Sequence, residues 1–477
     1  MKRIIGLTLL LSLIFGTVGC DSQNDVSFSD GTVANTNDDA LPAGIEKCDY
    51  GNAEFHIAAP NWGLYTNYFF SDGEQSDAMD KAIYERELKV EEHLGIDITY
   101  EFTGDINSVR PAVQQMVMSG DDTYQLVLTH CIAGVSAMVT EELLYDFNEL
   151  PGIDLSAEWW NQSITESLTV NGHNYYAVSD YMIPDPNCVL FNKEFIEIYD
   201  LEDPYELVRN KEWTLDKMME MMSKVTKDNG NGTFGKEDTW GLANPTDWLL
   251  VSFTYSSGGK LCSLNDDGEF ELSFGDERTY AIMDKIHALV NGNDSYNFNS
   301  TDYNPNLEDR LWISDGRSLF AISSVNWLSA LRETEVDYGI LPYPLFDETQ
   351  ESYTNNDWSG LMCVPTTVGD PDMVSKAIEL LSYYSSDTTI PAYYDIVLGA
   401  KLSRDDDSVE MLDIIFDGTV FDAGMNYFAF SPNTNYLFYT PYYHIAKEGR
   451  NDFSSWLAKY TPGAESEIAL FNASVNK

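Results

Sequence analysis

Hydrophobic and polar positions divide the chain into three stretches. Ile4 to Phe15 is an almost unbroken apolar run behind Met1-Lys2-Arg3. Residues 21–50 are polar and acidic, with Ser, Asn, Asp, Thr and Gly dominating and hardly an aromatic among them. From Glu54 the pattern becomes periodic. Glu54 to Ala59 reads as a strand. Asp77 to Leu94 reads as a helix, with Met79, Ile83, Val90 and Leu94 on one face and Gly95 as its stop. Ile96, Ile98, Tyr100 and Phe102 alternate as a strand does. Ser108 to Ser119 is a short helix, and Tyr124 to Thr129 is a nearly all-apolar strand. Strand, helix, strand, helix, strand predicts a parallel sheet with right-handed crossovers. Such sheets bind ligands beyond the carboxyl ends of their strands. The loop after the first strand, Pro60 to Asn67, is rich in aromatics and amides. Asn174 to Val189 reads as extended and carries Pro184 and Pro186. Helices are expected at Trp213–Val225, Tyr280–Val290, Met373–Tyr384 and Ser408–Phe416.

The length, 477 residues, suits two or three domains rather than one core. Apolar residues make up 43%, the usual globular share. The net charge of -51 repels nucleic acid and anionic head groups, which excludes a nucleic-acid partner, and keeps a secreted protein soluble and monomeric.

The apolar run is too short for a comfortable membrane span and reads as a signal peptide, residues 1–20. Gly16-Thr17-Val18-Gly19-Cys20 resembles a bacterial lipobox, with Thr17 where Leu, Val or Ile is usual. The resemblance implies lipidation of Cys20 and an extracytoplasmic protein held to the outer face of the cell membrane; ordinary cleavage near Gly19 is the alternative. Residues 21–50 then form a disordered acidic tether. Cys48, Cys131, Cys188, Cys262 and Cys363 remain, an odd number without metal-ligand spacing, so buried thiols are expected rather than disulfides or zinc.

Several stretches, in order, carry a likeness that covers roughly residues 51–420. They are Leu94-Gly95-Ile96-Asp97-Ile98, Met118 to Val127, Leu168 to Val178, Val189-Leu190-Phe191-Asn192-Lys193, Gly316 to Phe320 and Asp337 to Pro344. This part of the chain resembles the family 1 extracellular solute-binding proteins of ABC transporters, the group that includes maltose-binding protein. The resemblance implies a two-lobed periplasmic-binding-protein-like α/β fold of the type II topology class, its lobes joined by a hinge of several crossings. It implies a cleft that closes on a ligand, and delivery to an ABC permease. The division expected is 51–180 plus 323–368 for the first lobe and 181–322 plus 369–477 for the second.

Gly230-Asn231-Gly232-Thr233-Phe234-Gly235-Lys236-Glu237 mimics a phosphate loop, but Glu237 replaces the magnesium-facing hydroxyl and a helix, not a strand, precedes it. Similar proteins often carry an EF-hand-like calcium loop here. Asn229, Asn231, Thr233 and Asp238 fit its positions 3, 5, 7 and 12, but Lys227 stands where the first carboxylate belongs and Asp228 serves only in a loop shortened by one residue, which argues for weak calcium binding or none. No other cofactor is implied. The nucleophile and zinc-protease motifs are absent and the six His are scattered, so no catalytic residue is assigned. A surface-anchored glycoside hydrolase, with two carboxylates flanking a sugar, is the enzymatic alternative, and a binder of peptides or another small solute for sensing is the third.

Aromatic faces pack on the apolar faces of sugar rings while amides and carboxylates bond the hydroxyls. The candidates are Trp62 and Tyr65 after the first strand, Tyr181 just past the crossing, Trp248 and Tyr255 in the loop-like stretch Asn244 to Gly259, Asn326-Trp327 after the strand Leu319–Ile322, and Trp358 after Asn355-Asn356-Asp357. Similar proteins place a stacking Trp at the position of Trp327. Trp159-Trp160 is either a further platform or a structural clamp. Only 27 Lys and Arg occur in the chain, and few fall in these loops, which favours a neutral ligand, a mono- or oligosaccharide.

Overall fold

A computed structural model describes residues 42, 45–71, 73, 77–235, 237–243, 246–296, 316–331, 334–358, 360–402 and 405–476. The leader with Cys20 and the tether up to residue 41 lie outside the described residues. The expected tether ends earlier than residue 50. The Cys48 N–H donates to the His93 carbonyl at 3.1 Å and Tyr50 N–H to the Leu94 carbonyl at 2.8 Å, so this segment caps the end of a helix. The helix concerned runs Ala78–Leu94, opened by Asp77, whose side chain accepts from the Asp80 N–H, and closed by Gly95 at φ 60°. That left-handed φ is one glycine adopts without strain.

The strands of the two main sheets are, in chain order, β1 Ala53–Ala59, β2 Ile96–Phe102, β3 Leu126–Thr129, β4 Asn187–Asn192, β5 Trp240–Ala243, β6 Ser295–Tyr296, β7 Ser318–Ser324, β8 Tyr338–Leu341 and β9 Leu361–Cys363. The helices that matter below are α1 Gly63–Tyr68, α2 Ala78–Leu94, α3 Val109–Ser119, α4 Leu215–Val225, α5 Asp247–Ser256, α6 Glu277–Asn291, α7 Pro371–Asp387, α8 Thr389–Leu402, α9 Asp406–Asp417 and α10 Phe453–Val475.

The first sheet has the order β9-β3-β1-β2, and the second β8-β4-β7-β5-β6. In the first, β1 is parallel to both β2 and β3, as the alternating pattern predicts, and β9 runs antiparallel to β3 with Leu361 opposite Thr129. In the second, β5 is parallel to β7 and β6, while β4 runs antiparallel to β7 with Asn187 opposite Ser324. The strands β3, β4 and β7 are buried along their whole length, as a sheet covered on both faces requires. These two sheets are the cores of two lobes.

The chain crosses between them at Met182–Pro186, returns at Asn355–Trp358 and crosses once more between α8 and α9. The first two crossings lie side by side, bridged between Pro186 and Asp357. Two segments differ from the division expected from sequence. Tyr338–Leu341 falls in 323–368 but pairs with β4 in the second sheet, because its apolar residues complete that sheet's edge. Helix α7 falls in 369–477 but packs on α2 of the first lobe, and α8 touches α2 as well before α9 reaches β8. The stretch Asn244 to Gly259, expected to be loop-like, is helical over most of its described residues. Helix α5 occupies it from Asp247, and it is buried on all sides, so no polar stripe marks it as a helix in the sequence. The C-terminal helix α10 packs on the hairpin Cys262–Leu272 through Phe270, Tyr427 and Phe471. Cys131, Cys188, Cys262 and Cys363 are buried free thiols, whereas Cys48 is half-buried.

Candidate functional site

The strand directions decide where the candidate residues meet. In the first lobe β1 and β3 are parallel, so Trp62 and His130, which follow their carboxyl ends, stand at one edge of the sheet. Because β9 is antiparallel and Leu361 faces Thr129, Trp358 enters at that same edge. In the second lobe Trp327 follows β7 and Trp248 follows β5, again at the carboxyl ends of parallel strands. Antiparallel β4 begins at that end, so the crossing segment arrives there too.

A continuous row of rings results. Trp62 meets His130 edge-on at 5.1 Å between centroids. His130 stacks on Trp358 at 6.0 Å with 9° between planes. Trp358 meets Trp248 edge-on at 5.9 Å, and Trp248 meets Trp327 at 5.1 Å. The row therefore runs from the first lobe, over the crossing, into the second. Trp62 caps the start of α1 and keeps 41% of its surface exposed. Trp248 and Trp327 are half-buried, and Trp358 is buried.

His130 is the member that composition and motif spacing passed over, although a residue directly after an apolar parallel strand is a signal in itself. Its Nε2–H donates to the Trp358 carbonyl at 2.9 Å, and a carbonyl can only accept, which fixes the tautomer. Its Nδ1 is then the acceptor for the Ile132 N–H at 3.4 Å. Burial depresses its pKa to about 4, so the ring is neutral at physiological pH.

Polar groups brace the row. The Tyr68 hydroxyl on α1 donates to Asn326 Oδ1 at 2.6 Å, a bond from the first lobe to the second. The Asn326 N–H donates to Asp185 Oδ1 at 3.1 Å. Burial raises Asp185 to about 7, and the nearby Asp357 charge adds to that rise. Asn187 donates its side-chain amide to Ser252 Oγ at 2.6 Å, and Ser252 donates to Asn356 Oδ1 at 2.6 Å, which ties the first two crossings to α5.

The other sequence candidates have interior positions. Tyr65 is fully buried and donates to the Thr129 carbonyl at 2.6 Å. Tyr181 precedes the crossing rather than following it and packs within the first lobe, with the Arg86 guanidinium 4.6 Å above its ring. Tyr255 sits on α5 with 2% of its surface exposed. Trp159 and Trp160 form a clamp: their indole N–H groups donate to the two oxygens of Glu379, at 2.8 and 3.1 Å.

In the loop considered for calcium, both Asp238 oxygens accept backbone N–H groups, from Asn229 at 2.8 Å and Gly235 at 2.6 Å. The Asn231 N–H donates to Asn229 Oδ1 and Thr233 N–H to Asn231 Oδ1. Asp228 Oδ1 likewise accepts the Gly230 N–H at 2.6 Å and the Gly232 N–H at 3.3 Å, so both aspartates of the turn are engaged with its backbone. Among the described residues no group of three or more His, Cys, Asp or Glu converges as a metal site.

No family model and no curated protein sequence matches the chain. Solved structures do. A cyclic alpha-maltosyl-1,6-maltose binding protein from Arthrobacter globiformis superposes with a TM-score of 0.59 at 13% identity, over 89% of this chain and 100% of the other. An ABC substrate-binding protein of Listeria monocytogenes in complex with cycloalternan gives 0.57 at 13%, over 87% and 98%. The maltose/maltodextrin-binding domain MalE from Bdellovibrio bacteriovorus, bound to maltotriose, gives 0.54 at 16%, over 89% and 100%. The fold is that of the ABC-transporter solute-binding proteins. Within this solute-binding fold the aromatic row occupies the strand ends where the two lobes face each other across the crossings, which is where sheets of this kind receive ligands.

Proposed function

We propose that the protein captures a neutral carbohydrate, a mono- or oligosaccharide, between its lobes and performs no chemistry on it. The row Trp62–His130–Trp358–Trp248–Trp327 carries this reading. It offers ring faces and edges from both lobes and the hinge at once, so a bound sugar favours the arrangement in which the lobes approach. Tyr65, Tyr181 and Tyr255 support the walls of this site from within, and Asn326 bridges to Tyr68. Two carboxylates at the hinge, Asp185 and Asp357, hold its backbone N–H groups, an arrangement suited to support rather than to acid–base work on a sugar.

Delivery to an ABC permease, and anchoring outside the cell through lipidated Cys20, complete the reading. The lipobox-like Gly16–Cys20 and the polar tether support it, since more than one acyl chain holds a protein firmly at a membrane. The protein acts as a monomer in this scheme.

A thermal-shift screen of the purified protein against mono- and oligosaccharides and short peptides tests the proposal. Binding to the native state raises the midpoint as ligand exceeds its dissociation constant. A rise with one sugar class supports the reading. A rise with peptides alone overturns the sugar assignment, and hydrolysis of an oligosaccharide overturns the absence of chemistry.

A further inference from the structure

The indole N–H of Trp358 lies in the middle of the aromatic row, on a side chain with only 7% of its surface exposed. Its Nε1 has no hydrogen-bond partner in the protein. An indole N–H can only donate, and a buried donor without an acceptor is costly, so native structures rarely leave one unmade. His130 offers it no acceptor, since it commits Nε2 to the Trp358 carbonyl and Nδ1 to the Ile132 N–H, and the edge-on Trp248 ring offers at most a weak π contact. Other buried polar atoms on the same segments also lack partners, three of them close in sequence to members of the row. These three are Thr129 Oγ1, next to His130; Thr246 Oγ1, at the start of α5 before Trp248; and Asn356 Nδ2, two residues before Trp358. Asn356 Oδ1 is already satisfied by Ser252, so its free amide is a second donor beside the first.

We infer that the Trp358 indole N–H is the donor that reads an acceptor oxygen of the ligand at the hinge, and that neutral His130 is the positioning residue that holds the indole in place for it. This rests on the carbohydrate reading and narrows it. A ligand of this site carries a hydroxyl, ether or carbonyl oxygen at its centre, flanked by faces that stack. His130 positions Trp358 in two ways, by stacking on its ring and by bonding its backbone carbonyl. A shift of the crossing segment therefore moves the donor.

The test is replacement of Trp358 by 3-benzothienylalanine, which keeps the ring size and stacking and removes the N–H, with Trp358→Phe as a simpler second variant. Maltotriose and cycloalternan serve as probes in calorimetric titrations of the full protein. The nitrogen–proton spectrum of the indole groups provides a readout that needs no ligand, because the Trp358 signal is the one lost in the variant. The expected result is an upfield Trp358 signal in the free protein, a downfield move on adding the probe, and affinity at least about tenfold weaker in the variant, as loss of a bond to a buried donor implies. His130→Gln, which keeps a donor for the Trp358 carbonyl, is expected to retain more affinity than His130→Ala. Equal affinity in wild type and the benzothienyl variant overturns the proposal. So does a Trp358 signal already downfield in the free protein. If the wild type binds no sugar the carbohydrate reading fails, and the free-state signal still decides whether Trp358 holds an unbonded donor.

Discussion

Asp185 donates its backbone N–H to Oδ1 of Asp357 across 2.9 Å, and its own carbonyl accepts the Trp358 N–H at 3.2 Å, so the first two chain crossings are laced together by two acidic residues. Both are buried, and the Asp185 carboxyl also accepts the Asn326 N–H. The hinge therefore concentrates negative charge where water is scarce, and the consequence is a dependence on pH.

Burial first, and then the neighbouring Asp357 charge, raise Asp185 from its ordinary 3.8 to about 7. A raised carboxyl favours the folded state in its protonated form. Its contribution is complete below pH 3.8 and is lost as pH rises through about 7. Calorimetry is expected to show lower stability at pH 8 than at pH 5.5. Asp185→Asn removes the penalty of ionisation and should flatten that slope, by on the order of 1–3 kcal/mol over the interval. An unchanged slope in the variant would assign the effect to the other carboxyls that burial raises, Glu379 to about 7 and Asp422 to about 6.

Glu379 offers a second carboxyl of this kind, raised from 4.5 to about 7 chiefly by burial, but it carries a structural duty as well. It accepts the indole N–H groups of Trp159 and Trp160, joining α7 to the first lobe. Glu379→Ala leaves two indole donors without their acceptor and should cost about 2–4 kcal/mol in urea unfolding. Glu379→Gln keeps one acceptor oxygen and should cost about half as much. A loss below about 0.5 kcal/mol for the alanine variant would show that water replaces the carboxylate there.

Trp62 and Trp327 stand at the two ends of the aromatic row. Trp62 is substantially exposed, so Trp62→Ala should leave the melting temperature nearly unchanged. On the carbohydrate reading each single alanine variant weakens sugar binding by about 1–3 kcal/mol, taking base–aromatic stacking as the nearest measured case. Calorimetric titration with a sugar found in the screen checks this. Affinity unchanged in both variants would move the site away from the row.

How much of this was legible in the sequence follows from the kind of signal each element carries. Helix α2 is framed by Asp77 and Gly95, and β2 alternates, because each has one face in water. Strands β3 and β4 read as apolar runs because both faces are covered. Helix α5 was missed for the same reason: burial on every side removes the stripe, and a run such as Leu249-Leu250-Val251 has no helical period. The rule of strand ends points to the loops that carry Trp62, Trp327 and Trp358, and the structure brings these three into one row of rings. Tyr65 and Tyr255 obey the same rule but turn inward, and only packing decides that. His130 and the Asp185–Asp357 lacing are contacts between residues far apart in the chain, which no local pattern encodes.

The loop Asn229–Asp238 gives the last prediction, because the Asp238 carboxylate gathers backbone N–H groups from both sides of the turn. Asp238 has 1% of its surface exposed, and its two oxygens draw in the N–H groups of Asn229 and Gly235 from either side of the turn. On the reading without calcium, these bonds close the turn. Its indole neighbour Trp240 donates to the Gly235 carbonyl at 3.0 Å and seals the inner side. Chelation with excess EDTA should therefore shift the melting temperature by less than about 1 °C, since a ligand contributes stability only in proportion to its binding. Asp238→Ala should destabilise the protein by about 1–3 kcal/mol, to the same extent with and without added calcium, because the loss is of two charge-assisted bonds to backbone N–H groups. A melting temperature that falls steeply on chelation and recovers with calcium would mean that the Asn229, Asn231 and Thr233 oxygens serve an ion after all. Differential scanning calorimetry of both proteins in both buffers separates the two outcomes.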